Sequence, residues 1–415
     1  MKKIIGILLA GALVTSAFAV DFNAKVKMSG DILGGTIDLN GDKVDDNSIN
    51  ALKINNGIVD NNDFITTTFT GDKAGAEFNI TLRDDAVLNS ELKKDDDGKK
   101  VLLDPQNKGR VLVVNSAKVW IQPIDMLKIT FGQQAWEQMT ETTYSYGRKS
   151  AWGNSWFSDG PGDAGFDVIL TPMGGLDFNV GFKPGWDASW LSGDKNVLNV
   201  AKTNVGVKVD LNNFAGIPVT VVANWLNAVK KDASKDMYAN EFAIGASYGN
   251  PWGDGLYAHL VARIGFRDGK ESWGGELKSL LGDWDNSDKN SMIIDNAVKY
   301  SAGAFHAWLS VPVLIDLDKD NDGADGKNCN TGLNFVVKAD YKLGSVTPWV
   351  KLSQVDNMGN GKDGRFVDFK FKPTVEVGAD FDVGSCKMGI SAKAKIPGEK
   401  ENLSWSIPFF ATMSF

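Results

Sequence analysis

Cysteine, histidine and long apolar runs are what this chain of 415 residues has least of. It contains 2 cysteines and 2 histidines, too few for a zinc cluster or a disulfide framework, so catalysis by a bound metal or by cysteine and histidine is not expected. Positive charge is not in excess either, because the net charge is -8, whereas a nucleic-acid partner requires a basic patch. Beyond the N-terminal region, no segment approaches the roughly 18 continuous apolar residues of a membrane-spanning helix.

The first residues have the three parts of a secretory signal peptide. Lys2 and Lys3 form the positive start, an apolar run follows, and Ala17-Phe18-Ala19 is an A-x-A cleavage site. The run is too short for a transmembrane anchor, which needs about 20 apolar residues. The sequence therefore predicts a cleaved signal peptide at 1–19 and an exported mature chain at 20–415.

The mature chain is dominated by apolar residues at every second position. From Val367 to Val383 the odd-numbered residues are apolar and the even-numbered ones are polar, charged or glycine. Because successive side chains of a strand point to opposite faces, this pattern predicts one long strand with an apolar and a charged face. At about 3.3 Å per residue, such a strand is long enough to cross a tilted path through a bilayer. The same alternation recurs at 76–83, 176–183, 256–267, 333–343 and 387–396.

Loop lengths help to choose between two architectures that would cover the apolar faces, a soluble sandwich of two sheets and a membrane barrel. Tight turns such as the one at Pro123-Ile124-Asp125 alternate with long acidic or glycine-rich stretches at 41–62, 84–110, 134–164, 184–197, 268–296 and 356–364. This asymmetry is typical of outer-membrane barrels, whose periplasmic turns are short and whose extracellular loops are long. We predict an all-β chain in which 20–415 forms a single transmembrane antiparallel β-barrel.

The predicted barrel has 16 or 18 strands, with 18 preferred. About seventeen candidate segments are countable, whereas bacterial barrels of this type carry an even number of strands. The stretch from Val298 to Leu317 is the region where one segment divides into two, with a turn near Ser310-Val311-Pro312.

The two ends of the mature chain resemble Gram-negative outer-membrane barrel proteins of the porin type. The last strand ends in phenylalanine, has apolar alternate residues and is similar to the barrel assembly signal, and Phe22 to Asp31 looks like a porin first strand. The Pro123-Ile124-Asp125-Met126 turn is similar to spirochaete outer-membrane proteins. The resemblance implies a passive channel, recognition by the barrel assembly machinery and, as in general porins, a homotrimer. The assembly-signal residues are Trp405, Ile407, Phe409, Met413 and Phe415.

With the apolar faces assigned to lipid, the opposite faces predict the groups that line the lumen, where charged side chains set ion preference. Their signs are mixed, so they predict neither anion nor cation selectivity, and they are equally consistent with simple wetting of a wide lumen. The pore-lining candidates are Arg83, Lys118, Lys128, Asp177, Lys208, His259, Arg263, Arg267, Lys338, Asp340, Glu376, Lys387 and Lys393.

The long stretch 134–164 is a candidate for a loop that folds inward and narrows the pore. Its aromatic residues could stack on sugar rings, or they could belong to the interfacial girdle or pack the loop against the wall. The constriction-loop candidates are Trp136, Glu137, Glu141, Tyr144, Arg148, Trp152 and Trp156.

Two short motifs suggest other chemistry. Asp318, Asp320 and Asp322 match the first half of a calcium-binding EF-hand loop, but Cys329 stands where the bidentate glutamate belongs. Calcium is therefore the one cofactor that the sequence suggests, at a weak site, and a solvated acidic loop is the alternative. Gly245-Ala246-Ser247-Tyr248-Gly249 fits the G-x-S-x-G pattern, but Ser247 lies on a predicted strand rather than at a strand-to-helix turn. We do not expect an enzyme.

The favoured function is an outer-membrane porin for passive diffusion of small hydrophilic solutes or ions, with outer-membrane lipid around it and no nucleic-acid partner. Two alternatives stay open: a surface-exposed structural or adhesin barrel without an open pore, and a secreted carbohydrate-binding β-sandwich.

Overall fold

The computed structural model describes residues 19–38, 48–55, 65–84, 93–94, 100–101, 110–133, 164–183, 200–230, 237–267, 291–316, 328–329, 331–333, 335–354, 366–367, 372–397 and 402–414. These residues form a closed antiparallel barrel of 18 strands. Each strand pairs with its sequence neighbours, and the last strand pairs with the first from Lys25 opposite Ser414 to Ile37 opposite Leu403. The predicted all-β barrel and the preferred strand number are confirmed.

The first nine strands run from the N-terminus to a point halfway around the barrel. They are β1 (Ala19–Ile37), β2 (two segments, Ser48–Asn55 and Ile65–Thr70), β3 (Ala74–Asp84), β4 (Arg110–Ile124), β5 (Leu127–Gln133), β6 (Ala164–Met173), β7 (Leu176–Lys183), β8 (Val200–Asp210) and β9 (Val219–Lys230). A single helical turn, α1 (Leu211–Ala215), joins β8 to β9.

The second nine strands complete the ring. They are β10 (Met237–Tyr248), β11 (Gly255–Arg267), β12 (Ser291–Ala302), β13 (Phe305–Ser310 and Val313–Asp316), β14 (Thr331–Leu333 and Phe335–Tyr341), β15 (Val346–Gln354), β16 (Thr374–Val383), β17 (Cys386–Lys395) and β18 (Leu403–Ser414). Two short ribbons pair outside the ring, Lys93–Lys94 with Lys100–Val101 and Asn328–Cys329 with Phe366–Val367.

The two ends of the barrel differ in the length of their connections. At one end the strands are joined through 71–73, 125–126, 174–175, 211–218, 249–254, 303–304, 342–345 and 384–385. At the other end the connections are 38–47, 85–109, 134–163, 184–199, 231–236, 268–290, 317–330, 355–373 and 396–402. Gly303 (φ 58°) and Gly384 (φ 59°) make two of the tightest turns in the left-handed region, where a side chain would be strained.

The apolar stripe lies on the outside of the ring, as the alternation predicts. On β10, for example, Phe242, Ile244 and Tyr248 are exposed, whereas Glu241, Ala243 and Ser247, at positions of the opposite parity, are buried. Val375 and Val377 of β16 are also exposed, so no second layer of the described chain covers that face. The described strands form one closed ring rather than two packed sheets, and the β-sandwich alternative is therefore wrong.

Strand bounds differ from expectation in four places. The expected loop 41–62 contains the segment Ser48–Asn55 of β2, and the expected loop 268–296 contains the start of β12 at Ser291. The single strand expected from Val367 to Val383 is shorter, because β16 begins after Pro373, at Thr374. Its first expected residue, Val367, instead pairs with Asn328, next to Phe366 opposite Cys329.

The fourth difference concerns the turn expected near Ser310-Val311-Pro312. The 298–317 region does hold parts of two strands, but the turn between them is at 303–304. At 311–312 the chain continues along β12, because the Asn296 side-chain amide donates to the Val311 carbonyl at 2.7 Å and its oxygen accepts from the Val311 amide at 3.1 Å. This side chain stands in for backbone pairing where Pro312 has no N–H.

Among the described residues, no helix has the length and apolar character needed to cross a membrane.

Candidate functional site: the inner face of the barrel

The inner face carries the polar half of each alternating strand. Among the predicted pore-lining residues, the register places on this face Lys118, Lys128, Asp177, Lys208, His259, Arg263, Lys338, Asp340, Glu376, Lys387 and Lys393. The side chains of Arg83 and Arg267 lie outside the described part of the chain. The inner face divides into two regions of different accessibility.

The first region, the packed wall, is the inner face of β6 to β12. A chain of amides begins there, in which Asn204 of β8 donates to Asn179 of β7, and Asn179 donates to Asp167 of β6. All three side chains are buried. Buried polar groups are costly unless they are hydrogen-bonded, so these two hydrogen bonds offset part of the cost of burying the three side chains.

An ion pair continues the packed wall on the next strands. The Arg263 Nη1 atom of β11 lies 3.4 Å from the Glu241 Oε1 atom of β10, and the two side chains are only 2% and 0% exposed. A buried charge is tolerated when it is paired, and removal of one partner leaves the other uncompensated. Arg263 and Glu241 therefore compensate each other's charge inside the wall and are withdrawn from solvent.

His259 is held between two partners on the same wall. Its Nδ1 atom is 3.0 Å from the Tyr257 hydroxyl, and its Nε2 atom is 3.8 Å from Asp295 Oδ2. Ser247 of the G-x-S-x-G motif lies directly opposite His259 in the register, but both ring nitrogens already face other groups. Lys299, on the adjacent strand, donates to the Pro251 carbonyl. The motif serine thus lies on the buried inner face of a strand and does not form the strained turn that its chemistry requires.

The second region, the open wall, is the inner face of β13 to β18. Its centre is Lys338 of β14, whose ammonium lies 5.2 Å from the ring centroid of Trp308 on β13 and 4.9 Å from that of Trp349 on β15. These distances are within the range of favourable cation–π contacts. The Trp349 indole is itself fixed, because its Nε1–H donates to Asp380 Oδ1 at 3.0 Å.

Carboxylates on the open wall are tied to neighbouring groups. Glu376 accepts from Ser391 at 2.8 Å and lies 2.6 Å from the Lys351 ammonium. Asp340 lies 2.7 Å from His306 Nδ1. Lys351 retains 27% side-chain exposure, while Glu376 retains 11%. In these two pairs the cationic partner is more accessible to solvent than the carboxylate, since His306 and Asp340 are 30% and 8% exposed.

Other predicted lumen residues form ion pairs of intermediate exposure. Lys118 lies 3.2 Å from Glu77, and Lys208 lies 3.5 Å from Asp177, whose other oxygen accepts from Thr171 at 2.6 Å. Lys387 and Lys393, near the two ends of β17, are exposed.

Inward-facing aromatic residues are the feature that the sequence analysis overlooked. Trp349 lies over Gly378, where an added Cβ would meet its ring at 2.7 Å, and Phe410 lies against Gly389 in the same way. The aromatic candidates of the sequence lie in the long loops, whereas Trp308 and Trp349 lie on strands. Trp349 has the same parity as Lys351 on β15, and Trp308 has the same parity as His306 on β13. Strand parity combined with aromatic identity was the signal that could have found them.

Several predicted sites lie outside the described residues. These are the constriction-loop candidates at 134–163, the calcium candidates Asp318, Asp320 and Asp322, the signal peptide up to residue 18, and Phe415 of the assembly signal. In the part of the chain that the structure describes, no group of three or more histidine, cysteine, aspartate or glutamate residues is arranged to hold a metal.

Comparison with known proteins gives structural likeness only. No family model and no curated protein matches the chain. The Pseudomonas aeruginosa proteins OccK1 (OpdK) and OccK5 (OpdH) are 12% and 10% identical to this chain, with TM-scores of 0.48 and 0.49, and each comparison covers 95% of this chain and 98% of the other. A mutant of the Rh. blastica porin is 12% identical with a TM-score of 0.38, over 96% of this chain and 100% of that one. The fold assignment rests on strand pairing in this chain, and the spirochaete resemblance stays a prediction.

Proposed function

We propose that this chain is an outer-membrane porin through which small hydrophilic solutes cross by passive diffusion. The observation that carries the proposal is the closed ring of 18 strands with apolar side chains outside and polar side chains inside. Closure pairs the backbone groups of every strand with two neighbours, which is the condition for a sheet to span hydrocarbon.

The outer face supports immersion in lipid. Large apolar side chains are exposed on strands all around the ring, including Phe178, Ile244, Leu260, Val350 and Val377. A monomeric soluble protein rarely exposes a contiguous apolar patch of more than a few hundred Å². Exposure of these apolar side chains is unfavourable in water but not in hydrocarbon. We therefore infer that lipid surrounds this belt.

The asymmetric ends support an orientation. The first strand begins and the last strand ends at the short-turn end, at Ala19 and Ser414. Short turns are typical of the periplasmic side and longer loops of the extracellular side. We infer that the chain is exported by its signal peptide and that its last strand, with Trp405, Ile407, Phe409 and Met413 on the outer face, is the part that the barrel assembly machinery recognises. A homotrimer remains the expectation from the porin resemblance.

Conductance tests the proposal directly. The full-length chain, purified in detergent and added to a planar lipid bilayer in potassium chloride, is expected to give discrete current steps. Heat-denatured protein from the same preparation is the control. Inserted, folded barrels that carry no current would overturn the channel, and a chain that stays monodisperse in water without detergent would overturn the lipid-facing belt.

The packed wall favours a second candidate, a structural or adhesin barrel whose lumen is filled. Glu241, Arg263 and Asp295 are withdrawn from solvent although they face inward, and this burial supports a lumen that is filled beside the packed wall. Liposome swelling with sugars of increasing size separates the candidates. Swelling by small sugars supports a pore along the open wall, whereas detergent-dependent, protease-protected insertion without swelling supports the filled barrel.

A further inference from the structure

We propose that the outer face of β7 to β12 retains one phospholipid molecule, with an acyl chain in a groove of the barrel surface and the head at a pair of asparagines. This inference goes beyond the proposed function, because it assigns a ligand to the outside of the ring rather than a solute to the lumen. It rests only on the lipid-facing belt, and it distinguishes one bound lipid from the fluid lipid around the rest of the belt.

An open groove of about 550 Å³ lies on the outer face of these strands, within the range of about 300–1,000 Å³ that is typical of ligand pockets. On the side nearer the short turns, Ala223 and Ala262 lie opposite Ile244, one on each neighbouring strand. One step towards the long connections, Trp225 lies opposite Phe242. The short alanine side chains leave a depression beside the longer side chains, and the two aromatic rings form part of its wall.

The groove suits a hydrocarbon chain because the outward-facing side chains that line it are aliphatic or aromatic, Phe178, Val205, Ile264 and Met292 among them. Removal from water does not select one lipid over another, since the surrounding tails are as apolar as the groove. Dispersion contacts do select, because they add up when a concave surface touches a chain on several sides. A chain in the groove therefore exchanges more slowly than a chain beside a convex part of the ring.

A polar row borders the groove on the side of the long connections. Thr203 of β8 lies opposite Asn227 of β9, which lies opposite Asn240 of β10. They share the outer face with the groove, because Asn227 and Asn240 are each two positions from Trp225 and Phe242 along their strands. Asn227 is also only three positions from the end of β9 at Lys230. The row thus lies near the edge of the belt, where lipid head groups meet the protein.

Hydrogen bonds fix the direction in which Asn240 presents its amide. Its Oδ1 atom accepts from Trp225 Nε1 at 3.1 Å and from Asn227 Nδ2 at 2.9 Å. An indole nitrogen can only donate, so the oxygen of Asn240 must face Trp225 and its NH2 group must face away. The row therefore offers N–H donors, which match the phosphate and ester oxygens of a phospholipid head.

Trp225 connects the two parts of the site. Its ring lines the groove and its N–H bonds to the polar row, so an acyl chain and its head group can be held at the same time. A second copy of this chain is a poorer occupant, because the outer face of a barrel is convex and would rest on the ridges beside the groove. A single flexible chain can enter it.

Native mass spectrometry tests the inference. The full-length protein is equilibrated with dimyristoyl phosphatidylglycerol in a mild detergent, and the wild type is expected to retain one lipid. Asn240→Asp keeps the oxygen that accepts from Trp225 and Asn227 but replaces the NH2 donors, and we expect retention to fall about fivefold, the effect of one lost hydrogen bond. Ala223→Leu fills the groove and is expected to lower retention similarly.

Ala392→Leu is the matched control for the groove. Ala392 is exposed on β17, opposite Val377 and outside the groove, so the same gain in size should leave lipid retention unchanged. Equal retention in Ala223→Leu and Ala392→Leu, or in Asn240→Asp and the wild type, would overturn the site. A wild-type protein that retains no lipid, or that forms a lipid-free dimer broken by Ala223→Leu, would also overturn it.

The outcomes also separate this inference from the proposed function. A conducting channel that retains no lipid would overturn only the lipid site, whereas a silent barrel that retains one lipid would overturn only the porin. Asn240→Asp and Ala223→Leu lie on the outer face and are expected to conduct like the wild type. Circular dichroism of each variant verifies that the barrel is folded.

Discussion

The packed wall and the open wall are built from the same kind of strand, yet their inner faces behave differently. On the packed wall, charges such as Arg263 and Glu241 are fully withdrawn from solvent and neutralise each other. On the open wall, Lys351 and Lys393 remain accessible and aromatic rings orient Lys338. One side of the interior therefore resembles a protein core, whereas the other combines accessible lysines with buried carboxylates such as Asp340 and Glu376. The inner charges therefore differ in how far solvent reaches them, although they occupy equivalent positions on alternating strands.

The largest expected effect comes from breaking the ion pair of the packed wall. Arg263→Met leaves Glu241 buried without its cation and is expected to lower the free energy of unfolding by about 3–5 kcal/mol. The double variant Glu241→Leu/Arg263→Met removes both charges and should recover most of that loss. Urea titrations of the barrel in lipid vesicles measure both.

Lys393→Gln on the open wall is the control for that experiment, with an expected change of about 0.5 kcal/mol or less. Equal losses in the single and the double variant of the packed wall would show that the ion pair is not what stabilises it.

Arginine substitutions on the outer faces of the two walls are expected to lower the free energy of unfolding by similar amounts, unlike substitutions on the inner faces. Ile244→Arg behind the packed wall and Val377→Arg behind the open wall each place a charge on the exposed apolar belt. Both should cost about 2–4 kcal/mol in lipid, and Val383→Arg beside a short turn only about 0–1 kcal/mol. Unfolding in vesicles measures the three values, and independence from depth would argue against a lipid-facing belt.

Overpacking tests whether the aromatic residues of the open wall are tightly seated. Gly378→Ala would bring a methyl group to 2.7 Å from the Trp349 ring and from the Ile390 carbonyl, with an expected loss of about 1–3 kcal/mol. Gly174→Ala is the control, since nothing lies within 4 Å of the added carbon there. Similar unfolding curves for the two variants would mean that Trp349 moves freely.

The smallest expected effect concerns an ion pair of intermediate exposure. Lys118 and Glu77 have side-chain exposures of 33% and 24%, so solvent screens their attraction. Lys118→Met is expected to change the free energy of unfolding by about 1 kcal/mol or less. The same urea titration measures this change. A loss of unfolding free energy as large as that of Arg263→Met would show that the stabilising effect of an ion pair does not depend on its burial.

Much of the fold followed from residue order, and the exceptions have physical causes. The alternation in 256–267 and 387–396 predicts both strands and their faces, because the direction of a strand side chain depends only on its position in the pleat. The bounds near 311 were misjudged because Asn296, on the neighbouring strand, replaces the missing pairing at Pro312. The residue pattern within one segment carries no information about such a contact with another strand.

The site was less predictable than the fold. Parity identifies which charges face inward, so Lys338, Lys393 and Arg263 were all named as pore-lining candidates. It carries no information about what lies across the lumen, and Arg263 is buried whereas Lys393 is exposed. The indole rings beside Lys338 come from the adjacent strands β13 and β15. Parity indicates that they face inward, but their contact with Lys338 depends on the register between strands.

Local chemistry decides three properties of this protein: it is made of strands, one face of each strand is apolar, and the opposite face is charged. These properties follow from the alternation of residue types along each segment, which does not depend on contacts with other segments. Only the folded ring decides that there are 18 strands, which inner charges meet water, and which cations face one another across a strand pair. Those properties depend on register and closure, where residues far apart in the chain come together.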